Sequence, residues 1–464
     1  MLFGTSGIRG IYGKDITEEL AYKIANVFAD QNVVIGRDTR TSGLALQEAC
    51  TQAVVGRTKD AYLLGIVPTP TLALATLKKN CLGIMITASH NPSEYNGFKL
   101  FREGKEITRD EERDFENRFN KGVIKEIESH NAAVFDDKLL PEEYRAIEDH
   151  KGMIKRLVDC NAIAKRKLKV VVDCNGAAAT ITPDLLRELG CHVISVNAEL
   201  EGFNRASEPN TENLQKTAAI VKAVNADLGI AHDGDGDRCV VIDETGQVLP
   251  LDAQLAIMIE NELVSGFRHQ VSEKKPKNKK PMIISTVEAS LLVRETCERN
   301  GADIKITPVS TVYISEELEK NNALFGGEPC GEYVFANAGH HAPDGILAAA
   351  KFVEIAANSR LSELRKKYKQ YPMIREKFKC EKKDKYQTIR EIIKRVKING
   401  KRNEEDGLRV DEKDGWFLIR ASGTEPIIRL TMEYKDKKRL EERANEVRDV
   451  IKVVLNLDES DAFI

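Results

Sequence analysis

The chain has 464 residues with a formal net charge of −3; that length predicts three or four domains, and the charge balance gives no reason to expect a nucleic-acid or membrane partner. No apolar run approaches the ~20 residues that span a bilayer, and Met1 leads straight into a glycine-rich polar stretch unlike a signal peptide. Nine cysteines, an odd count without a C-x-x-C pair, read as buried reduced thiols, so the expectation is a cytoplasmic multidomain protein.

The first motif in chain order is Gly4-Thr5-Ser6-Gly7-Ile8-Arg9-Gly10. It lacks the Lys-Ser/Thr of a P-loop and follows no strand, so it is not a dinucleotide fingerprint either. Val33-Val34-Ile35 reads as a buried strand leading through Gly36 into a helix. A second strand, Leu82 to Ile86, runs into Thr87-Ala88-Ser89-His90-Asn91-Pro92. A serine in such a turn is most often a cap; as a nucleophile it needs an activating group or a phosphate already attached.

The same order then returns twice. Val170 to Val172, a helix ending at Gly190, and strand Val193 to Val196 precede strand Leu228 to Ala231, which runs into Asp233-Gly234-Asp235-Gly236-Asp237-Arg238. Met282 to Ile284, a helix ending at Gly301, and strand Ile304 to Ile306 precede Leu324 to Gly327, which runs into Glu328-Pro329-Cys330-Gly331-Glu332. Three repeated α/β units are predicted, and their polar loops, beyond the carboxyl ends of strands, could face a single cleft. Lys274 to Lys280 between two of these elements reads as a solvated loop.

Three carboxylates at alternate positions with glycines between can turn inward on one hard cation, Mg²⁺ or Ca²⁺. An EF-hand is excluded: Arg238 stands where its glycine must be, and the flanks read as strands, although Glu244 falls at the twelfth position. His340 and His341 read as ordinary core or surface histidines.

From about Tyr371 the pattern changes. A strand (Ile374 to Cys380), a helix (Tyr386 to Val396), strands near Leu408 to Val410, Trp416 to Ile419 and Ile427 to Met432, and a last helix with the stripe Leu440, Ala444, Val447, Ile451, Val454 make a small α+β domain. Within it, Arg420-Ala421-Ser422-Gly423-Thr424-Glu425-Pro426, with Arg429 beyond, suits a cluster of phosphate oxygens or an ordinary hairpin turn.

Together these motifs resemble one family over essentially the whole chain, the α-D-phosphohexomutases, which include phosphoglucomutase, phosphomannomutase and phosphoglucosamine mutase. The resemblance implies three related α/β domains with mixed sheets (1–150, 151–252 and 253–370) and a smaller C-terminal domain with an antiparallel sheet (371–464). It implies Ser89 as phosphoserine and phosphate carrier, with His90 beside it and Arg9 and Lys99 (in YNGFK) at the catalytic centre. Asp233, Asp235 and Asp237, with Ser89, would hold Mg²⁺, and Arg238 would neighbour the reacting phosphate. Glu328, Cys330 and Glu332 would read the sugar; Arg420, Ser422, Gly423, Thr424 and Arg429 would grip the non-reacting phosphate. A hexose 1,6-bisphosphate would be the intermediate and activator, a small sugar phosphate the partner, and the enzyme a monomer or homodimer.

Two segments depart from the family pattern. Cys330-Gly331-Glu332 stands where bacterial relatives commonly have Ser-Gly-His, and Thr307 to Val312 lacks the Gly-Asp and basic residue often found there. The FGTSGIRG opening, TASHNP and GEPCGE look most like archaeal-type phosphoglucosamine mutases, implying interconversion of glucosamine 6-phosphate and glucosamine 1-phosphate. The alternatives are a phosphoglucomutase/phosphomannomutase of broader specificity, a phosphatase, and a catalytically silent sugar-phosphate binder.

Overall fold

The computed structural model describes residues 2–122, 140–270, 280–380, 385–422 and 426–456. Its organisation follows from three apolar runs. Val33–Arg37, Lys169–Asp173 and Met282–Thr286 are interior strands covered on both faces, which is why they read as continuous rather than alternating apolar stretches. Val33–Arg37 pairs in parallel with Ala61–Ile66 on one side and with Leu82–Ile86 on the other, and Tyr95–Arg102 returns antiparallel beside the latter. Lys169–Asp173 has the same neighbours in the same directions: His192–Val196, Leu228–Ala231 and the returning Val240–Asp243. Met282–Thr286 repeats the plan with Asp303–Thr307, Phe325–Glu328 and Glu332–Phe335. The repeated unit is thus four strands in a mixed sheet, and its closing hairpin carries the polar loop in each case.

The helices stop near where the glycines predict. Thr182–Glu188 and Leu291–Arg299 each end two residues before a glycine of positive φ, Gly190 (93°) and Gly301 (67°). The fourth sheet is wholly antiparallel, in the order Met373–Lys379, Ile427–Tyr434, Gly415–Ala421, Leu408–Asp411, Lys401–Asn403. Helices Lys385–Arg395 and Lys437–Leu455 pack with it, and the predicted stripe from Leu440 to Val454 is buried in its core.

The second and third units share one core, in which Val170 and Leu228 are joined to Ile283 and Phe325 through residues of helices Leu251–Gln270 and Gly345–Asn358. The first and fourth units have their own. The fourth docks on the third through a small patch, Val287, Leu291, Trp416 and Leu418. There Glu433 accepts from Leu291 N and Trp416 Nε1, both at 2.7 Å. All nine cysteines are free thiols, seven of them buried. Among the described residues no helix is long and apolar enough to cross a membrane. Lys274 to Lys279 lie outside the described residues.

Candidate active site

Ser89 sits in the first hairpin loop, 1% exposed, with φ +49°. That left-handed conformation is unfavourable for a residue with a Cβ and persists only where surrounding bonds over-determine it. Here Ser89 N donates to Thr87 Oγ1 (2.8 Å), and its carbonyl accepts from Arg40 Nη2 and Ser207 Oγ, both at 2.9 Å. So held, its hydroxyl donates to Asp233 Oδ2 at 2.8 Å. Loops from the first two units are therefore in direct contact, and Gly234 permits it: a Cβ there would stand 2.9 Å from Ser89 O and 2.6 Å from the Phe203 ring.

The strands flanking the aspartate loop, Leu228–Ala231 and Val240–Asp243, pair antiparallel, and Glu244 is occupied with Ser362, so no EF-hand exists. Asp233, Asp235 and Asp237 are buried, with one potential ligand oxygen from each within 4.8 Å of the others. Lys99 Nζ donates to Asp235 (2.8 Å) and Asp237 (2.6 Å), and Thr69 Oγ1 to Asp235 (2.6 Å). Burial works against every charge here. It pushes the Asp233 carboxyl up to about 6, with Asp235 adding to the rise, and lifts Asp237 in the same way. Asp235 falls below the usual range because Lys99 and Thr69 outweigh its desolvation; Lys99 in turn is held as ammonium by Asp235 and Asp237. Asp235 Oδ1 and Asp237 Oδ1 are buried with no hydrogen-bond partner among the described residues. Unused anionic oxygens beside a serine hydroxyl are a hard, all-oxygen donor set that fits a divalent cation.

His90 Nδ1 lies 3.4 Å from Ser89 Oγ. Its imidazole is kept neutral, first by the charge of Arg238, then by burial and Arg9. Arg9 reaches the same loop, donating to Asn91 Oδ1 at 3.2 Å. Arg238 ties the second unit to the third: its backbone N donates to Asp233 Oδ1 (3.2 Å), and its Nε and Nη2 both lie 3.0 Å from Glu332 Oε1. Glu328, Cys330 and Glu332 cluster within 4.8 Å. Burial and then Glu332 raise the Glu328 carboxyl well above the usual range, and its Oε1 is buried without a partner among the described residues.

Arg420 joins this edge from the fourth unit, 3.0 Å from Glu288 and 3.2 Å from Asp406. It stands directly opposite Arg429 across the Gly415–Ala421/Ile427–Tyr434 ladder. Ser422 is buried; Gly423 and Thr424 lie outside the described residues.

Four family models match in order along the chain: phosphoglucomutase/phosphomannomutase alpha/beta/alpha domain I at residues 1–125, domain II at 148–246, domain III at 260–371, and the C-terminal domain at 376–450. Phosphoglucosamine mutase of Methanocaldococcus jannaschii is 37% identical over 469 residues, covering 98% of this chain and 99% of that protein. Phosphoglucosamine mutase of Methanococcus vannielii is 38% identical, covering 94% and 95%. A solved phosphoglucomutase/phosphomannomutase family protein from Burkholderia thailandensis superposes with TM-score 0.83 at 26% identity, covering 98% and 97%. The chain belongs to the phosphoglucomutase/phosphomannomutase family. It is a phosphomutase, an isomerase.

Several residues that build this phosphomutase's cleft escape motif reading. Arg40, 2% exposed, is the hub of the serine loop: besides Ser89 O it donates to the carbonyls of Asn91 (2.8 Å), Pro92 (2.5 Å) and Tyr95 (2.7 Å), and its Nε to Asp38 (3.1 Å). Asp38 also accepts from Thr87 Oγ1 (2.6 Å). Ser207 bridges the two loops, accepting from Gly234 N at 3.0 Å while donating to Ser89 O. The available signal was Arg37-Asp38-Thr39-Arg40, a charged run at the carboxyl end of the first interior strand. Nothing in the sequence marked Ser207. The departing segment near Thr307 does make contacts: Ser310 Oγ donates to Thr5 O (2.8 Å), so it braces the N-terminal loop.

Proposed function

We propose that the cleft interconverts glucosamine 6-phosphate and glucosamine 1-phosphate, with Ser89 as phosphate carrier and a hexosamine 1,6-bisphosphate as intermediate. The observation that carries the chemistry is the Ser89 hydroxyl fixed 2.8 Å from Asp233 within the aspartate cluster. Asp233, Asp235, Asp237 and Ser89 would hold Mg²⁺, whose charge offsets that developing on a transferred phosphoryl group. The rest of the work falls to the chain's own groups. Phosphorylated Ser89 would yield its phosphoryl to the free sugar hydroxyl as the P–O bond to Ser89 breaks. That hydroxyl's proton would go to a nearby base, for which His90 is poorly suited because Arg238 and burial disfavour its protonated form. The intermediate would turn over, and its other phosphate would return to Ser89 while a proton is handed back to the sugar oxygen. Lys99, held as ammonium, suits proton donation better than abstraction. Arg9 and Arg238 would flank the reacting phosphate. Arg420 and Arg429, with Ser422, Gly423 and Thr424, would clamp the other one, Arg420 exchanging Glu288 and Asp406 for it.

The amino-sugar assignment is supported by the names of the archaeal relatives and by the acidic sugar loop. A glucosamine phosphate carries an ammonium at carbon 2, and Glu328, clustered with Glu332, has an oxygen without a partner among the described residues. An incoming cation would draw Glu328 into its ionised form. The test supplies glucosamine, glucose and mannose phosphates in parallel with Mg²⁺ and a hexose bisphosphate, while mass spectrometry follows phosphate on Ser89. Preference for glucosamine phosphate with a phosphorylated Ser89 supports the reading. Equal or faster turnover of the neutral sugars refutes the substrate, release of inorganic phosphate in place of isomerisation indicates a phosphatase, and unphosphorylated Ser89 during turnover refutes the carrier.

A further inference from the structure

Outside this cleft, the joint between the third and fourth units encloses a cavity of about 760 Å³, a volume suited to a small organic ligand. It is lined from the third unit by Lys280, Arg294 and strand Asp303–Thr307, and from the fourth by Lys401, Arg409 and Asp411. Five basic side chains face it against three acidic ones, and none of its residues belongs to the phosphomutase cleft.

The charge arrangement at its inner end is unbalanced. Arg294 and Arg409 share one carboxylate: Arg294 Nη1 lies 2.7 Å and Arg409 Nε 2.9 Å from Asp411 Oδ1. Arg409 is 1% exposed, stands over the Trp416 ring with Cζ 3.8 Å from the ring centroid, and donates through Nη1 to Val287 O. Its Nη2 is buried without a hydrogen-bond partner among the described residues, and so is Arg294 Nε. Burial, and next the charge of Arg294, push the Arg409 guanidinium down to about 9. A buried guanidinium normally has its donors filled and its charge matched. Among the described residues Asp411 is the one carboxylate in direct contact with both guanidiniums, taking both terminal nitrogens of Arg294, and Glu433 acts on Arg409 only as a more distant charge. The spare donors Arg409 Nη2 and Arg294 Nε therefore mark a positive site that suits phosphate oxygens.

We propose that this cavity is a second anion site, taking a small phosphate-bearing polyanion that bridges the third and fourth units. Its ligand reaches the catalytic side through the fourth unit's own backbone. Arg409 lies on the strand beginning one residue after Gly407, where a Cβ would come within 2.9 Å of Arg420 Cα, and the adjoining Asp406 pairs with Arg420. An occupied site therefore restrains the strand pair that presents the phosphate clamp.

Trp416 is the chain's single tryptophan, so its fluorescence reports on Arg409. Full-length enzyme is titrated with inorganic pyrophosphate in EDTA at constant ionic strength, with ADP as a parallel probe. The expected result is a saturable fluorescence change in the wild type. It should persist in Arg420→Ala, which disables the clamp, and weaken tenfold or more in both Arg294→Gln and the exposed Lys401→Glu. Lys401→Glu should keep wild-type mutase turnover without pyrophosphate. Tighter binding of ADP would assign Met282, Ile304 and Ile306 to an organic moiety, and equal binding would assign the site to the phosphates alone. No saturable change with either probe overturns the proposal. So does a change lost in Arg420→Ala but kept in Lys401→Glu, which would place the anion in the catalytic cleft.

Discussion

Arg40→Met removes the hub of the serine loop and tests whether that loop is built as described. The substitution leaves the Asp38 carboxylate, 0% exposed, without its cation. Burial already raises this carboxyl and Arg40 pulls it down, so in the variant Asp38 takes up a proton on folding. Its unfolded value is near ~3.9, so at pH 7 protonation costs about 4 kcal/mol, at ~1.4 kcal/mol per pH unit. The hydroxyl bond from Thr87 survives and reduces this somewhat. The carbonyls of Asn91, Pro92 and Tyr95 lose a donor; they are part-buried, so water limits the further loss to ~1 kcal/mol each. The folded-state pKa of Asp38 is raised in the variant. The penalty is therefore absent below the unfolded pKa and grows as pH rises towards the folded one. Urea unfolding followed by circular dichroism should show a deficit of ~4–7 kcal/mol at pH 7, shrinking by about 3 kcal/mol at pH 5. Turnover should fall ~100-fold or more, since Ser89, the proposed phosphate carrier, loses its fixed position. A deficit below ~1 kcal/mol, or one that does not vary with pH, would refute the reasoning.

Other perturbations act on separate parts of the site. Ser89→Ala should abolish isomerisation and phosphate incorporation while sugar-phosphate affinity, by calorimetry, changes less than about threefold, since the proposed role of this hydroxyl is to carry the phosphoryl group and not to hold the sugar. Asp235→Asn removes the carboxylate that anchors Lys99 and Thr69, and divalent-cation affinity should drop at least ~tenfold; unchanged affinity would remove Asp235 from the ligand set. Glu332→His takes away the partner of Arg238 and one acidic group of the sugar loop, so the kcat/KM ratio of glucosamine to glucose phosphate should fall about tenfold or more. Glu433 is pushed up to about 7 by burial, against the bonds from Leu291 and Trp416. Its raised folded-state value means docking of the fourth unit weakens as pH rises from the ordinary carboxyl range towards about 7, and levels off above that. Trp416 fluorescence should titrate with a midpoint near that value and become flat in Glu433→Gln.

The three-fold repeat, the small α+β fourth unit and the chemically specialised residues are legible in the sequence, while the antiparallel pairing of the fourth sheet was implied only by the family resemblance. Continuous apolar runs such as Val170 to Val172 are legible because an interior strand is covered on both faces, and the stripe from Leu440 to Val454 because a helix buries one side. Asp233, Asp235 and Asp237 stand out because like charges at alternate positions with glycines between require a cation to compensate them. Only the tertiary structure decided which groups meet. Ser89 and Asp233 are 144 residues apart and come within hydrogen-bond reach because equivalent hairpins of two units converge. Arg40 looks like one more surface arginine until its fork is seen filled by carbonyls 49 to 55 residues away, and Ser207 carries no local pattern at all. The shared carboxylate of Arg294 and Arg409 exists only because one unit docks on another. Local sequence encodes periodicity and residue chemistry, whereas long-range pairing and burial arise from how the units pack.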